Sequence, residues 1–294
     1  MSKIKSLSVG NGDMFYIRHG SDNFTMIDCS LSDGNRKRIV DELKRESAGK
    51  GIVRFISTHP DQDHIGGLVY LDDRMGIRNF YCVKNEATKE DETSDFKRYR
   101  ALHDHSTKAF YLSKGCSRRW MNKTSEARGS AGINILWPDT ANQDFKNALE
   151  RAAQGESPNN ISPIIKYSLN GGVTALWMGD LETDFMEAIQ DKVALPKVDL
   201  LFAPHHGRKS GRVPTDWLED LAPKIIIVGE APAADLEYYD GYNTITQNTA
   251  GNIVFQCESG VVHVYVSSSS YAVGFLTDKG RGSDDGFYLG SLDI

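Results

Sequence analysis

The chain has 294 residues, 39% of them apolar and 25% charged, a composition ordinary for a globular protein of one large domain or two small ones. Its net charge of −6 argues against a surface coated to grip long duplex nucleic acid. No apolar run approaches the roughly 18 residues of a membrane span, and Met1 to Leu7 lacks the apolar core of a secretory signal, so the expected compartment is the cytoplasm.

Ile4 to Val9, Met14 to Arg18 and Phe24 to Ile27 carry strand patterns, separated by the turn residues Gly10-Asn11-Gly12-Asp13 and His19-Gly20-Ser21-Asp22-Asn23. The third strand ends in Asp28. A helix is predicted over 35–47, with Ile39, Val40 and Leu43 on one face, and a strand over Ile52 to Ile56. A β-β-β-α-β start of this kind indicates a mixed α/β fold. A short helix after Gly67 and a strand from Ile77 to Val83 follow. Residues 84–130 then lose the strand rhythm and read as a charged, partly helical insertion on a single domain spanning 1–294. Residues 86–95 hold five acids and one base, Lys89, whereas residues 96–128 hold nine Lys or Arg against two acids, a balance of +7.

The β pattern resumes at Ile133 to Trp137, and Asp144 to Ala153 resembles a helix. Ser162 to Leu169 and Val173 to Met178 flank Asn170-Gly171-Gly172 as a hairpin that ends at Gly179-Asp180. A helix from Thr183 to Gln190 precedes a buried-type strand, Val198 to Ala203, which ends at Pro204-His205-His206-Gly207. A helix near Thr215 to Leu221, a strand over Lys224 to Val228 and a strand-rich tail from Thr244 to Thr277 complete the pattern. The Gly- and Asp-rich end, Asp278 to Ile294, is expected to be poorly ordered. The four cysteines, Cys29, Cys82, Cys116 and Cys257, are too dispersed for a disulfide scaffold or a zinc knuckle.

The stretch Thr58-His59-Pro60-Asp61-Gln62-Asp63-His64-Ile65-Gly66-Gly67 carries the chemistry. It sets two histidines and two aspartates in the pattern His-x-Asp-x-Asp-His directly after a strand. Adjacent carboxylates repel and lose solvation unless a cation or a dense hydrogen-bond net neutralises them, so a metal site is expected. Asp28, Asp180 and His205 also follow strands, and strand ends on one edge of a sheet are where α/β folds collect a site. With Asp180 and His205 or His206 added, the set suffices for two divalent cations, and Asp180 can bridge them. Such cations hold hydroxide at neutral pH by lowering the pKa of bound water, and they stabilise developing negative charge.

In order along the chain, Val9-Gly10-x-Gly12-Asp13, Ile27-Asp28, the His59 motif, Gly179-Asp180 and His205-His206-Gly207 resemble the signature motifs of the metallo-β-lactamase fold. With Asn159-Asn160-Ile161-Ser162 and Asn248-Thr249-Ala250-Gly251-Asn252-Ile253, they look like the branch represented by the soluble domain of the competence DNA-uptake protein ComEC. The resemblance covers about 4–83 and 133–267. It implies an αββα sandwich with a dinuclear site, in which His59 and Asp61 hold one cation and Asp63, His64 and His205 the other. Asp180 would bridge them and Asp28 would brace the His59 loop. Two departures matter. Asp61 stands where the wider family has a histidine, and Asn159 to Ser162 replaces its third-motif histidine, leaving the first cation short of protein ligands. A site this rich in oxygen makes manganese a rival to zinc.

Asp63, His206 and Lys209 are the expected catalytic groups, and Asn160, Ser162, Arg212 and Tyr242 the expected substrate contacts. For Lys209 and Arg212 the alternative is exposed loop charge, for Tyr242 packing. His103 and His105 are expected on the surface and His263 in a structural role. The basic insertion, with Phe96, Tyr99, Phe110, Tyr111 and Trp120, suits either a clamp on a phosphate backbone or a helix pairing its charges with the preceding acids. The function these readings favour is a metal-dependent phosphodiesterase or nuclease acting on nucleic acid or a nucleotide. A hydrolase of a small lactam or lactone and a metal-binding module without turnover are the alternatives.

Overall fold

In the computed structural model, which describes residues 1–232, 238–282 and 284–294, the strands gather in two sheets. The larger runs β16 (Phe287–Asp293), β15 (Val261–Val266), β14 (Ile253–Glu258), β1 (Ser2–Ser6), β2 (Phe15–Arg18), β3 (Asn23–Ile27), β5 (Ile52–Ile56), β6 (Phe80–Cys82) and β7 (Ala109–Tyr111). The smaller runs β13 (Thr244–Thr246), β12 (Ile225–Val228), β11 (Leu200–Phe202), β10 (Thr174–Trp177), β9 (Ile164–Ser168) and β8 (Ile133–Trp137). A two-residue strand, β4 (Cys29–Ser30), bridges to Ile65 and Gly66 of the motif loop.

Each sheet changes direction once. Neighbours from β16 through β3 are antiparallel, and β3, β5, β6 and β7 are parallel. In the smaller sheet β8, β9 and β10 are antiparallel, and β10 through β13 are parallel. The parallel pairs β3–β5 and β10–β11 therefore send their C-terminal ends to one edge of their own sheet, where loops can collect functional groups.

Period-2 alternation divides the larger sheet cleanly. Tyr16, Phe24, Met26, Phe55, Phe80 and Cys82 face one buried cluster with the helices α1 (Arg36–Ser47), α3 (Leu68–Met75) and α4 (Ser94–His103). Ile4, Phe15, Ile17, Ile27, Ile56 and Tyr81 face the smaller sheet. Aromatic rings join the two sheets: Phe15 and Phe255 of the larger meet Phe202 of the smaller edge-on at 5.1 and 6.1 Å, and Trp177 stacks on Phe202 within the smaller sheet with centroids 4.5 Å apart. On the smaller sheet, Trp137 meets Phe145 of α5 (Gln143–Ala153) and Phe185 of α6 (Thr183–Ala188), and Trp217 of α7 (Thr215–Leu221) joins the same core. Two short helices, α2 (Gln62–Ile65) and α8 (Gln247–Ala250), lie in loops at strand ends. Sheet faces sheet with helices outside, the expected αββα arrangement. Among the described residues no helix is long and apolar enough to cross a membrane.

Three local expectations differ from the structure. Residue 283 lies outside the described residues, but residues 287–293 are ordered: β16 pairs with β15, and Thr277 bridges to Ser291, because Leu289 and Leu292 pack on the main core and Tyr288 meets the Tyr265 ring. The charged segment 84–130 is knitted into the larger sheet. It supplies the edge strand β7 and helix α4, whose Phe96, Tyr99 and Leu102 are buried. Phe96 and Tyr99 therefore serve packing. His103 is likewise buried, its Nε2 accepting from Asn85 N at 3.2 Å, because it lies on the face of α4 turned to the sheet.

The aromatic cluster around Phe202 is the packing on which the two strand ends depend. Phe202→Ala is expected to cost about 3–5 kcal/mol, the range for removing a buried ring, as a lowered urea midpoint with an unchanged slope.

Candidate metal centre

Each functional side chain stands just past a strand. Asp28 follows β3, Thr58 to His64 follows β5, Asp180 follows β10, and His205 and His206 follow β11. Asp13 precedes β2, whose antiparallel pairing with β3 brings its start to the same edge, Phe15 lying opposite Ile27. The backbone there is unusual. Asp28, His205 and His206 adopt φ of 55°, 52° and 57°, in the left-handed region that non-glycine residues rarely enter. Gly179 permits the sharp exit from β10 at φ 53°, where a Cβ would lie 2.6 Å from Ser162 Oγ.

The Asp180 carboxylate is the hub. It is buried, and four imidazole Nε2 atoms surround it: His64 at 3.0 Å from Oδ1, and His206, His205 and His59 at 3.6, 3.7 and 3.9 Å from Oδ2. Two of these rings are held from behind by carboxylates. His64 Nδ1 lies 2.9 Å from Asp28 Oδ2, and His206 Nδ1 lies 3.1 Å from Asp13 Oδ1. Asp28 also accepts from Thr58 N at 2.7 Å and Thr58 Oγ1 at 2.6 Å, so it braces the motif loop at both ends. His59 Nδ1 faces Ser162 Oγ at 3.2 Å, and Ser162 Oγ accepts from Asp180 N at 3.2 Å.

Burial and charge act against each other throughout. Burial pushes the His206 imidazole down, but Asp13, Asp63 and Asp180 carry it up to about 10. Burial raises the Asp63 carboxyl, but His206 and His64 bring it down to about 2. Burial holds the His59 and His205 imidazoles below their usual range. Asp180 falls below the carboxylate range because His64, His59 and His206 outweigh its burial.

Donor atoms from Asp13, His64, Asp180 and His206 all lie within 4.8 Å of one another. The Nε2 atoms of His59 and His206 are buried without a hydrogen-bond partner, a costly state for a polar atom unless a cation completes it. The residues therefore fit a divalent metal. Asp63 Oδ2, His64 Nε2, Asp180 and His206 Nε2 would hold it, because Asp13 and Asp28 already engage the opposite ring nitrogens.

The structure brings together all six expected ligands, with differences in role. His206, 3.4 Å from Asp63 Oδ2, takes the position expected of His205, which sits partly exposed at the rim with its Nδ1 2.9 Å from Ser210 Oγ. Asp61 lies 3.7 Å from His59 Nε2 through one oxygen and is ion-paired to Lys89 through the other. Ser162 is fully buried and orients His59, so it is no substrate contact. Asn160 is tied to Glu182, donating to Oε2 at 2.7 Å and accepting from its backbone N at 3.0 Å. Tyr242 packs against the main core. Lys209 and Arg212 are exposed beside the centre. Asp13 and Lys89 were missed as site residues. The strand-turn-strand before β2 carried a signal for Asp13, and the lone base in an acidic run carried one for Lys89.

Residues 7–152 match the family model described as the metallo-beta-lactamase superfamily. The fold is of the metallo-β-lactamase type. The matched part ends within α5, so Asp180, His205 and His206 lie beyond it and are placed by the structure. Comparison with curated proteins gives no match. Members of the superfamily are usually hydrolases, and a buried His/Asp group that could hold metal agrees with that chemistry.

Asp28→Asn and Asp13→Asn are each expected to weaken zinc or manganese binding about 10–100-fold, the usual cost of losing a carboxylate behind a ligating histidine, measured by competition with a chromogenic chelator. A second expectation follows from His206. With its pKa pushed up to about 10 in the cation-free chain, it is protonated at neutral pH, so a cation must displace that proton. Metal binding should therefore release protons and tighten as pH rises towards 10. Calorimetry in buffers of different ionisation enthalpy reads this directly, and an affinity flat with pH would contradict it.

Proposed function

We propose that the protein is a metal-dependent phosphodiesterase or nuclease acting on nucleic acid or a nucleotide. The observation that carries this reading is the open groove of about 770 Å³ lined by Glu182, Thr183, Asp184, Arg208, Lys209, Ser210, Arg212 and Tyr238. It adjoins the centre through Ser210, which contacts His205. Among the described residues neither Lys209 nor Arg212 has a carboxylate partner, so both charges are open to phosphate oxygens. Arg212 lies over the Tyr238 ring at 5.7 Å, a pairing on which a base can also stack. The resemblance to the soluble domain of ComEC and the oxygen-rich donor set point the same way.

Each residue then has a task. Asp63, His64, Asp180 and His206 would hold divalent metal, zinc or manganese, while Asp13 and Asp28 fix the imidazoles. When bound, the metal supplies the charge that lowers the pKa of water and offsets charge building on the reacting group. Lys209 and Arg212 bind and orient the phosphate. His205, kept neutral by burial and standing at the rim between centre and groove, accepts a proton at Nε2.

The test is turnover of a chromogenic phosphodiester and of single-stranded DNA against a chromogenic β-lactam, with manganese and with zinc. Phosphodiester turnover is expected, falling at least about a hundredfold in Asp63→Ala, the scale of losing a principal electrostatic stabiliser. Lys209→Ala and Arg212→Ala should raise KM for DNA. Lactam turnover without phosphodiester turnover would overturn the reading.

A further inference from the structure

Lys89 is the one base among the acids of residues 86–95, yet its ammonium pairs with Asp61 of the metal motif rather than with Glu86, Glu90, Asp91 or Glu92. Its position is set on both sides. Thr88 is pinned to the end of α5, its N donating to Ala152 O at 3.1 Å and its Oγ1 to Ala153 O at 3.0 Å. On the other side Thr93 Oγ1 donates to Gln62 Oε1 at 2.8 Å, and Asp95 accepts from Gly67 N and Val69 N at 2.9 Å each. The segment is thus laced to the motif loop, with Lys89 over Asp61.

The pocket on this side of Asp180 is poor in donors. His59 Nε2 lies 3.7 Å from Asp61 Oδ2 and 3.9 Å from Asp180 Oδ2, an oxygen that His205 and His206 also approach, at 3.7 and 3.6 Å. Ser162, from the stretch that replaces the third-motif histidine, is spent on His59 Nδ1 and Asp180 N. Three protein donors suffice for an open catalytic site only if all three are free to bind. One of them, Asp61, already shares its charge with a cation the chain supplies itself. Around Asp63, by contrast, His206 stands 3.4 Å away, and His64 and His206 are braced from behind by Asp28 and Asp13.

We propose that the Lys89 ammonium, ion-paired to Asp61, takes the place of the first of the two divalent cations, so that the centre holds a single metal between Asp63, His64, Asp180 and His206. The inference rests on the metal-dependent reading above. Lys89 then contributes a fixed positive charge with further N–H donors, suited to one oxygen of an anionic substrate.

Manganese titration of the metal-stripped full chain, followed by electron paramagnetic resonance, tests it without reference to turnover. The wild type is expected to saturate with one manganese and a mononuclear signal. Lys89→Met should free Asp61 and admit a second ion, giving an exchange-coupled pair, while Lys89→Arg should stay mononuclear. Circular dichroism confirms that each variant is folded. A coupled pair in the wild type, or a folded Lys89→Met that still takes one ion, overturns this proposal alone. A wild type that binds no manganese or zinc overturns both it and the metal-dependent reading.

Discussion

A buried carboxylate, Asp180, is the constraint around which the molecule is arranged. Left alone at 2% exposure it would be expensive to ionise. It is tolerable because His64 and His206 stand against it and are themselves backed by Asp28 and Asp13. The result is a chain of alternating groups, Asp28, His64, Asp180, His206 and Asp13, that crosses from the larger sheet to the smaller and back. Truncating a member strands its neighbours in a dry interior, so the set has to be assembled as a unit.

That assembly explains the distorted backbone at the strand ends. Rings from two sheets can meet one carboxylate only if the chain turns sharply as it leaves each strand. Asp28, His205 and His206 accept left-handed φ values that cost of order 1–3 kcal/mol apiece. The strain is sustained by what lies behind it. β3 and β5 pair in parallel from Asn23 through Ile27, β10 and β11 are buried, and Trp177, Phe202 and Phe15 stack beneath the turns. Gly207, at φ 85° with Val228 Cγ1 2.5 Å from where a Cβ would be, is required for the same close approach.

Most of the fold was legible because its signals are local. Alternation in β2, β3 and β5 and the apolar face of α1 mark themselves, and the His-x-Asp-x-Asp-His spacing marks the loop after β5. What escaped depended on contacts between distant segments. Which of two adjacent histidines turns inward is decided by Asp13, nearly two hundred residues earlier, and nothing in His205-His206 encodes that partner. Ser162 looks like a substrate contact in sequence, but Gly179 lets Asp180 N and His59 close on its hydroxyl. The order in β16 was hidden by the glycines and aspartates that precede it, since its strand character comes from pairing with β15.

The segment 84–130 shows how a compositional signal can mislead about position. Its excess of positive charge invited a clamp on nucleic acid, but each of its arginines has a partner within the fold. Arg98 meets Asp72 and Asp73, Arg100 meets Glu92, and Arg128 meets Asp22. Arg118 lies over Tyr81 and Phe110, and Arg119 over Trp120. Charges held this way are poor counterions for a phosphate chain, since binding must first break the existing contacts. Lys209 and Arg212, which have no carboxylate partner among the described residues, lie instead on the loop after His206, beside the centre. Cations without a carboxylate partner are the ones free to meet an anion, and these two adjoin the strand ends carrying the histidines.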